Sequence, residues 1–275
     1  MSDAFRVVNI ADFRAIVPHF AGAPEELGKS EGQTVADGIL KPRVVTFTTL
    51  AQRCDGTPAS FMKEVEEKSR RELEAALAPL QLVWLTLEHG AHVVEPGAAG
   101  EQGSVQADAA IVHTPGHAVA FTTADCLPVV MVSASHLIIA AIHAGWRGIA
   151  SGIIENCCAR FVALCHGSMP ADIQVWIGPA IAACDYEIDD ATRTALSGSA
   201  HVDETHFTPT RHGHYLADLS AMVHAKLEAV GVGSSKISCY PKSTFSHPQL
   251  HSARRDGDTS GRMATVVGFL DVQNG

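Results

Sequence analysis

No apolar run in this chain of 275 residues approaches the roughly 20 residues that a bilayer-spanning helix needs, so no membrane partner is expected. The first residues, MSDAFRVVNIADFRAIV, lack the basic and apolar regions of a secretory signal. Positive charge is in deficit: 20 Lys and Arg stand against 30 Asp and Glu, a formal net charge of −10. That balance argues against a general affinity for nucleic acid and leaves a small molecule as the expected partner. A regular cysteine framework is missing too, and seven cysteines fit a reducing compartment, so a cytoplasmic location is expected; the chain is read as a monomer. Neither C-x-x-C nor H-E-x-x-H occurs, the one H-x-H pair is His212-Gly-His214, and no repeat or low-complexity segment is found.

What is present is apolar: 46% of residues are hydrophobic and 18% charged, enough to bury one large core. Residues 1–42, interrupted by Gly22, Pro24, Gly28, Gly32 and Gly38, read as an irregular N-terminal extension packed on a single domain of residues 43–275. The domain alternates strand and helix signals. Arg43 to Thr49 is a strand, and Leu50 to Arg53 a loop with Arg53 as its nearest charge. Ser60 to Leu77 is a helix that Ser60 can cap, with Phe61, Val65 and Leu73 on its apolar face. Leu82 to Leu87 is a strand, and Glu95 to Gly103 a loop. Gly148 to Leu164 is a buried helix, Ile173 to Ile177 a strand, Leu216 to Val230 an amphipathic helix, and Ile237 to Tyr240 and Ala264 to Leu270 are strands.

The centre of the chain is Ala107 to Ile154. Its runs Ala118 to Thr123, Leu127 to Val132 and Leu137 to Ile142 are short and partly β-branched, the pattern of buried strands. Cys126 lies between the first two runs. His143 follows the third, and Gly145 and Gly148 then break the chain before a helix, so both side chains reach a sheet edge where rigid support meets solvent. They lie 17 positions apart, which by spacing alone favours a buried thiol and a satisfied imidazole over two metal ligands. The nearest upstream third ligand is His89 in LVWLTLEHGAHVVEP.

The blocks LEHGAHVV, ADAAIVHTPGHAVAFTTADCLPVV, AAIHAGWRGIASGIIE, IGPAIAACDYEI, YLADLSAMVHAKLEAVGV and ARRDGDTSGRMATVV resemble, in order, the YfiH family, also known as the polyphenol oxidase laccase-domain or peptidoglycan editing factor family. The resemblance covers about residues 43–270. It implies an α/β (α+β) single domain of layered mixed sheets flanked by helices, one zinc per chain held by two His and one Cys, and purine nucleoside chemistry with phosphate. Carried over by motif, the ligands are His89, Cys126 from TADC and His143 from HAGW. His92 is set aside, because residues three apart in an extended segment face opposite sides and Gly90 frees the backbone beside His89. The resemblance also favours Arg254, Arg255 and Arg262 as an inward anion-binding loop over surface arginines.

Two imidazoles and a thiolate suit zinc, and three protein ligands leave a fourth position for catalysis. Two reactions remain open: phosphorolysis of adenosine, inosine, guanosine or methylthioadenosine, and hydrolytic deamination of adenosine. Arg147 is a candidate phosphate or ribose anchor beside a helix N-terminus. Asp125 reads equally as a proton shuttle or a turn cap. Trp146 reads as base-pocket wall or core, and Cys184 as a structural thiol. The rival readings are a cysteine or zinc hydrolase editing peptidoglycan precursors, a copper polyphenol oxidase, for which one H-x-H pair is too few, and a binding protein with structural zinc.

Overall fold

A computed structural model describes residues 5–10, 13–18, 43–53, 60, 66–96 and 103–270. Two mixed sheets pack face to face. One has seven strands in the order β1 (Phe5–Ile10), β2 (Phe13–Pro18), β3 (Arg43–Arg53), β16 (Met263–Leu270), β8 (His117–Thr123), β4 (Gln81–Thr86) and β6 (Gly103–Gln106). The other has six, in the order β15 (Ile237–Cys239), β11 (Gln174–Ile177), β9 (Leu127–Ser133), β10 (Ile138–Ala144), β7 (Ala109–Val112) and β5 (Val93–Val94). A small sheet of β12 (Glu187–Asp189), β14 (His214–Ala217) and β13 (Phe207–Pro209) stands apart.

The central strands are continuous apolar runs because both of their faces are buried. Val130 and Val132 of β9 meet Val119 and Phe121 of β8 and Val83 and Leu85 of β4 in the core between the sheets. Val129 and Met131, pointing the other way, pack under α3 (Ile153–Leu164) and α5 (Leu219–Ala229). On the outer face of the seven-stranded sheet, α1 (Glu66–Leu77) lays Leu73 against Phe47, Trp84 and Val266. The architecture is therefore four layers, helix on sheet on sheet on helix, an α/β fold.

Several expectations are corrected. Phe5–Ile10 and Phe13–Pro18 form an antiparallel hairpin added to the edge of β3 rather than an irregular piece. The strand begun at Arg43 runs on through Arg53, where a loop was expected, and Leu50 is buried on it. The helix expected from Gly148 is two helices, α2 (Trp146–Ala150) and α3, because Gly152 takes a left-handed φ of 83° that ends the first. The helix expected from Leu216 starts at Leu219: residues 214–217 pair in β14, and Asp218 caps the helix by accepting the Ala221 N–H at 2.8 Å. For the first helix, residues 61–65 lie outside the described residues. The remaining helices are α4 (Asp190–Ser197) and the short α6 (Ala253–Asp256). Among the described residues no helix is long and apolar enough to cross a membrane.

Lys226 of α5 is fully buried, and its ammonium donates to Glu155 Oε1 on α3 at 2.6 Å, to Ser199 Oγ at 2.7 Å and to the Ala200 carbonyl at 2.7 Å. It fastens α5 to α3 and to the end of α4.

The chain passes from the seven-stranded to the six-stranded sheet at three places: between β4 and β5, between β6 and β7, and between β8 and β9. These crossings carry His89, Asp108 and Cys126 respectively.

Candidate metal centre

His89, Cys126 and His143 converge, with one ligand atom from each lying within 4.8 Å of the others. Among the described residues this is the one group of three or more His, Cys, Asp or Glu side chains so arranged. His143 sits in the last turn of pleat of β10, opposite Pro128 of β9, which brings it beside the start of that strand and hence beside Cys126. His89 approaches from the turn after β4, its ring 4.9 Å from that of His143 and nearly perpendicular to it. The floor of the site is Gly145: a Cβ there would stand 3.1 Å from Cys126 Sγ, 3.4 Å from His89 Cδ2 and 3.5 Å from His143 Cε1. A side chain there would crowd the Cys126 sulfur and touch both imidazoles, so glycine leaves the three groups room to approach one another.

The backbone is held in unusual conformations at two of these positions. His89 has φ 58° and Asp125 φ 85°, a region that non-glycine residues enter at a cost. Each is fixed by a carboxylate. For His89 it is Asp108, whose oxygens accept the N–H groups of His89 at 2.9 Å and Gly90 at 2.8 Å, and also the Nδ1 of His143 at 2.9 Å. For Asp125 it is its own side chain, which accepts the Thr244 hydroxyl at 2.5 Å and the Arg254 N–H at 2.6 Å.

These groups shift one another. Burial works to raise the Cys126 thiol, but hydrogen bonding to His143 and His89 and the charge of both bring it down to about 6. Burial works to lower His143, and its bonds to Asp108 and Cys126 overcome that, raising it to about 9. Burial would raise Asp108, yet its hydrogen bonds to His143 and to the backbone leave it below the usual carboxylate value. A thiol poised to ionise between two imidazoles is a soft metal-binding donor set, and with Asp108 on Nδ1 of His143 the other ring nitrogen is the one turned toward Cys126, where a metal would sit.

The arginines separate. Arg147 is exposed and stacks 4.4 Å over the half-buried Trp146, whose ring packs on the core. Arg254 stacks 4.8 Å over the Tyr186 ring and donates to the Glu187 carbonyl. Arg255 is turned to internal use: its guanidinium donates to the carbonyls of Thr244, Phe245 and Leu250 and pairs with Asp256. Arg262 likewise donates to the carbonyls of Ser260 and Gly261. So Arg255 and Arg262 brace the loop, whereas Arg147 and Arg254 are the pair close enough to Tyr186 to act on its phenol. Cys184 is exposed and outside the ligand set. His92 is exposed, with its Nδ1 3.0 Å from the Gln106 carbonyl. For Arg53, only the backbone, paired with Phe13, is described.

Two residues of the site escaped the sequence reading. Asp108 lies in the block ADAAIV, where nothing local marks it. Tyr186 lies in CDYEI; burial and the nearby Cys126 push its phenol up to about 12, which keeps it a hydrogen-bond donor at neutral pH.

A family model described as multi-copper polyphenol oxidoreductase laccase matches residues 60–270. The purine nucleoside phosphorylase YfiH of Escherichia coli is 33% identical over 259 residues, covering 94% of this chain and 99% of its own. A purine nucleoside phosphorylase of Xylella fastidiosa is 31% identical over 256 residues, covering 85% and 95%. The crystal structure of YlmD from Geobacillus stearothermophilus superposes with a TM-score of 0.75 at 25% identity, over 98% of this chain and all of that one.

Proposed function

The chain belongs to the YfiH family of laccase-domain proteins, and from that premise we propose that it is a zinc-dependent purine nucleoside phosphorylase that also deaminates adenosine. The observation that carries this reading is the triangle of His89, Cys126 and His143 over Gly145, flanked by Arg147, Arg254 and Tyr186. The relatives named purine nucleoside phosphorylase supply the substrate class.

Zinc suits two imidazoles and one thiolate, and when bound it supplies Lewis acidity at a fourth position left open by the protein. A multicopper oxidase needs several copper sites rich in histidine, and the described residues assemble one three-ligand group. The rest falls to the chain's own residues. The guanidinium groups of Arg147 and Arg254 match the oxygens of phosphate and would hold it on one side of the ribose. An oxygen of that phosphate attacks C1′, the bond from C1′ to the purine N9 breaks, and the products are ribose 1-phosphate and the free purine, which takes up a proton. Tyr186, protonated at neutral pH, donates a hydrogen bond to an oxygen or nitrogen of the bound nucleoside. Asp125, both of whose oxygens are engaged, positions Cys126 and Arg254 rather than shuttling protons.

Cleavage of inosine or guanosine by the purified protein, which should carry about one zinc per chain, is expected to require phosphate and to yield ribose 1-phosphate. Equal rates in phosphate-free buffer, with free ribose as product, would refute phosphorolysis. A second reading, a hydrolase of peptidoglycan precursors with Cys126 as nucleophile, draws on the same lowered thiol. A covalent adduct of Cys126 with a muropeptide, detected by mass spectrometry, would favour it instead.

A further inference from the structure

We propose that Asp108 is the positioning residue that sets the metal affinity of this centre, an inference that rests on the metal reading above and not on the identity of the nucleoside. Asp108 is fully buried, and a carboxylate there survives only if its lone pairs are met. Here they are met by the two histidine ligands at once. Oδ1 lies 2.9 Å from Nδ1 of His143 and 2.9 Å from the N–H of His89. Oδ2 accepts from Gly90 at 2.8 Å and from Glu88 at 3.3 Å. The main chain of Asp108 adds to this, its carbonyl accepting the His143 N–H at 2.7 Å and its N–H donating to the His92 carbonyl at 3.1 Å.

Two consequences follow from one side chain. An ionised carboxylate can only accept, so the proton of neutral His143 stays on Nδ1 and the Nε2 lone pair is presented to the metal. Three consecutive N–H groups gathered on the same carboxylate hold residues 88–90 in the turn where His89 takes its left-handed φ, which aims that imidazole at Cys126. One histidine is held by its ring and the other by its backbone. The two are therefore coupled, and losing Asp108 loosens both.

Asp108→Asn tests this with almost no change in volume. Its amide has one accepting oxygen, and its NH2 must face either His143 Nδ1–H or the backbone N–H groups, donor against donor. Outer partners of metal ligands change affinity by about 10–100-fold, and since two ligands lean on Asp108 the expected loss of zinc affinity is about 100-fold. It is read by competition with a chromophoric chelator. Nitrogen-15 NMR of the zinc-loaded protein should show His143 protonated at Nδ1 in the wild type and not uniformly so in Asp108→Asn. Asp172→Asn removes another carboxylate, one that accepts from Ser133 and Ser135, and should leave zinc affinity unchanged.

Wild-type affinity in Asp108→Asn, an equal loss in Asp172→Asn, or a wild type that takes up no zinc would each overturn the proposal. If Asp108→Asn does not fold, the wild-type spectrum decides alone: His143 bound to zinc through Nδ1 sinks it, and Nδ1–H upholds it. Loss of zinc in Asp108→Asn beside a wild type that cleaves no nucleoside would uphold Asp108 while refuting the nucleoside reading.

Discussion

Gly145→Ala isolates the geometry of the centre from the stability of the fold. Gly145 has φ −79° and ψ 163°, extended values that alanine adopts freely, so the substitution stores no backbone strain. It does precede α2, where glycine is a better N-cap than alanine, at a cost of about 1 kcal/mol or less and a shift in Tm of about 2–4 °C. The new methyl, however, would stand 3.1 Å from Cys126 Sγ, where ordinary contact begins at 3.4 Å, and would touch both imidazoles. Relief requires the sulfur or the loop carrying it to retreat by about 0.3–0.5 Å, whereas metal–ligand distances tolerate about 0.2 Å. Zinc affinity should fall by about 10–100-fold, equivalent to about 1.4–2.7 kcal/mol. The assay is chelator competition beside a thermal melt in excess chelator, so that metal-linked stability does not mask the effect on the fold. Wild-type zinc affinity in Gly145→Ala would show that the three side chains do not close on a common point above Gly145. A loss of affinity matched by collapse of the chelated protein would show that Gly145 serves folding instead.

His89→Ala should lose most bound zinc and activity while the fold persists, and His92→Ala should keep both within a few fold; metal analysis and a nucleoside assay on the two variants compare them, and the reverse pattern would overturn the ligand assignment. Lys226→Met removes a buried cation and leaves the half-buried Glu155, Ser199 and the Ala200 carbonyl without their shared donor, so unfolding free energy in urea should drop by about 2–3 kcal/mol. A drop below about 1 kcal/mol would mean that the apolar replacement is tolerated and that the ammonium contributes little.

The strands around the centre were legible because they are short apolar runs with turn residues at their ends, and β8, β9 and β10 fall within about two residues of their sequence boundaries. Breaks were harder to read. Ser151 and Gly152 lie within an unbroken helical pattern, and only the left-handed φ of Gly152 separates α2 from α3. Residues 214–217 carry the same apolar spacing as the helix after them, and it is pairing with β12 and β13 that makes them a strand. At the site, cysteine and histidine advertise themselves by chemistry, and the family motifs singled out three that the structure brings together. Asp108 could not be found that way. An aspartate in a sequence is as often a surface charge, and its meaning here depends on partners 18 to 35 positions away. For Arg255 the resemblance suggested an anion-binding loop, and in the structure its guanidinium donates to carbonyls of its own loop, contacts between residues that no local pattern announces.

Since His89, Asp108 and Cys126 each lie where the chain passes from one sheet to the other, while His143 belongs to the second sheet alone, the ligand triangle measures how the two leaves sit on each other. A sliding of one leaf that would go unnoticed in the hydrophobic layer, where one methyl can replace another as a neighbour, changes three ligand distances together. On the metal reading proposed above, affinity becomes a gauge of sheet alignment, and a substitution deep in that layer, such as one at the fully buried Trp176, would be registered at the centre. Run in reverse, a metal bound only to the aligned arrangement acts as a rivet through both leaves and selects that alignment from its neighbours.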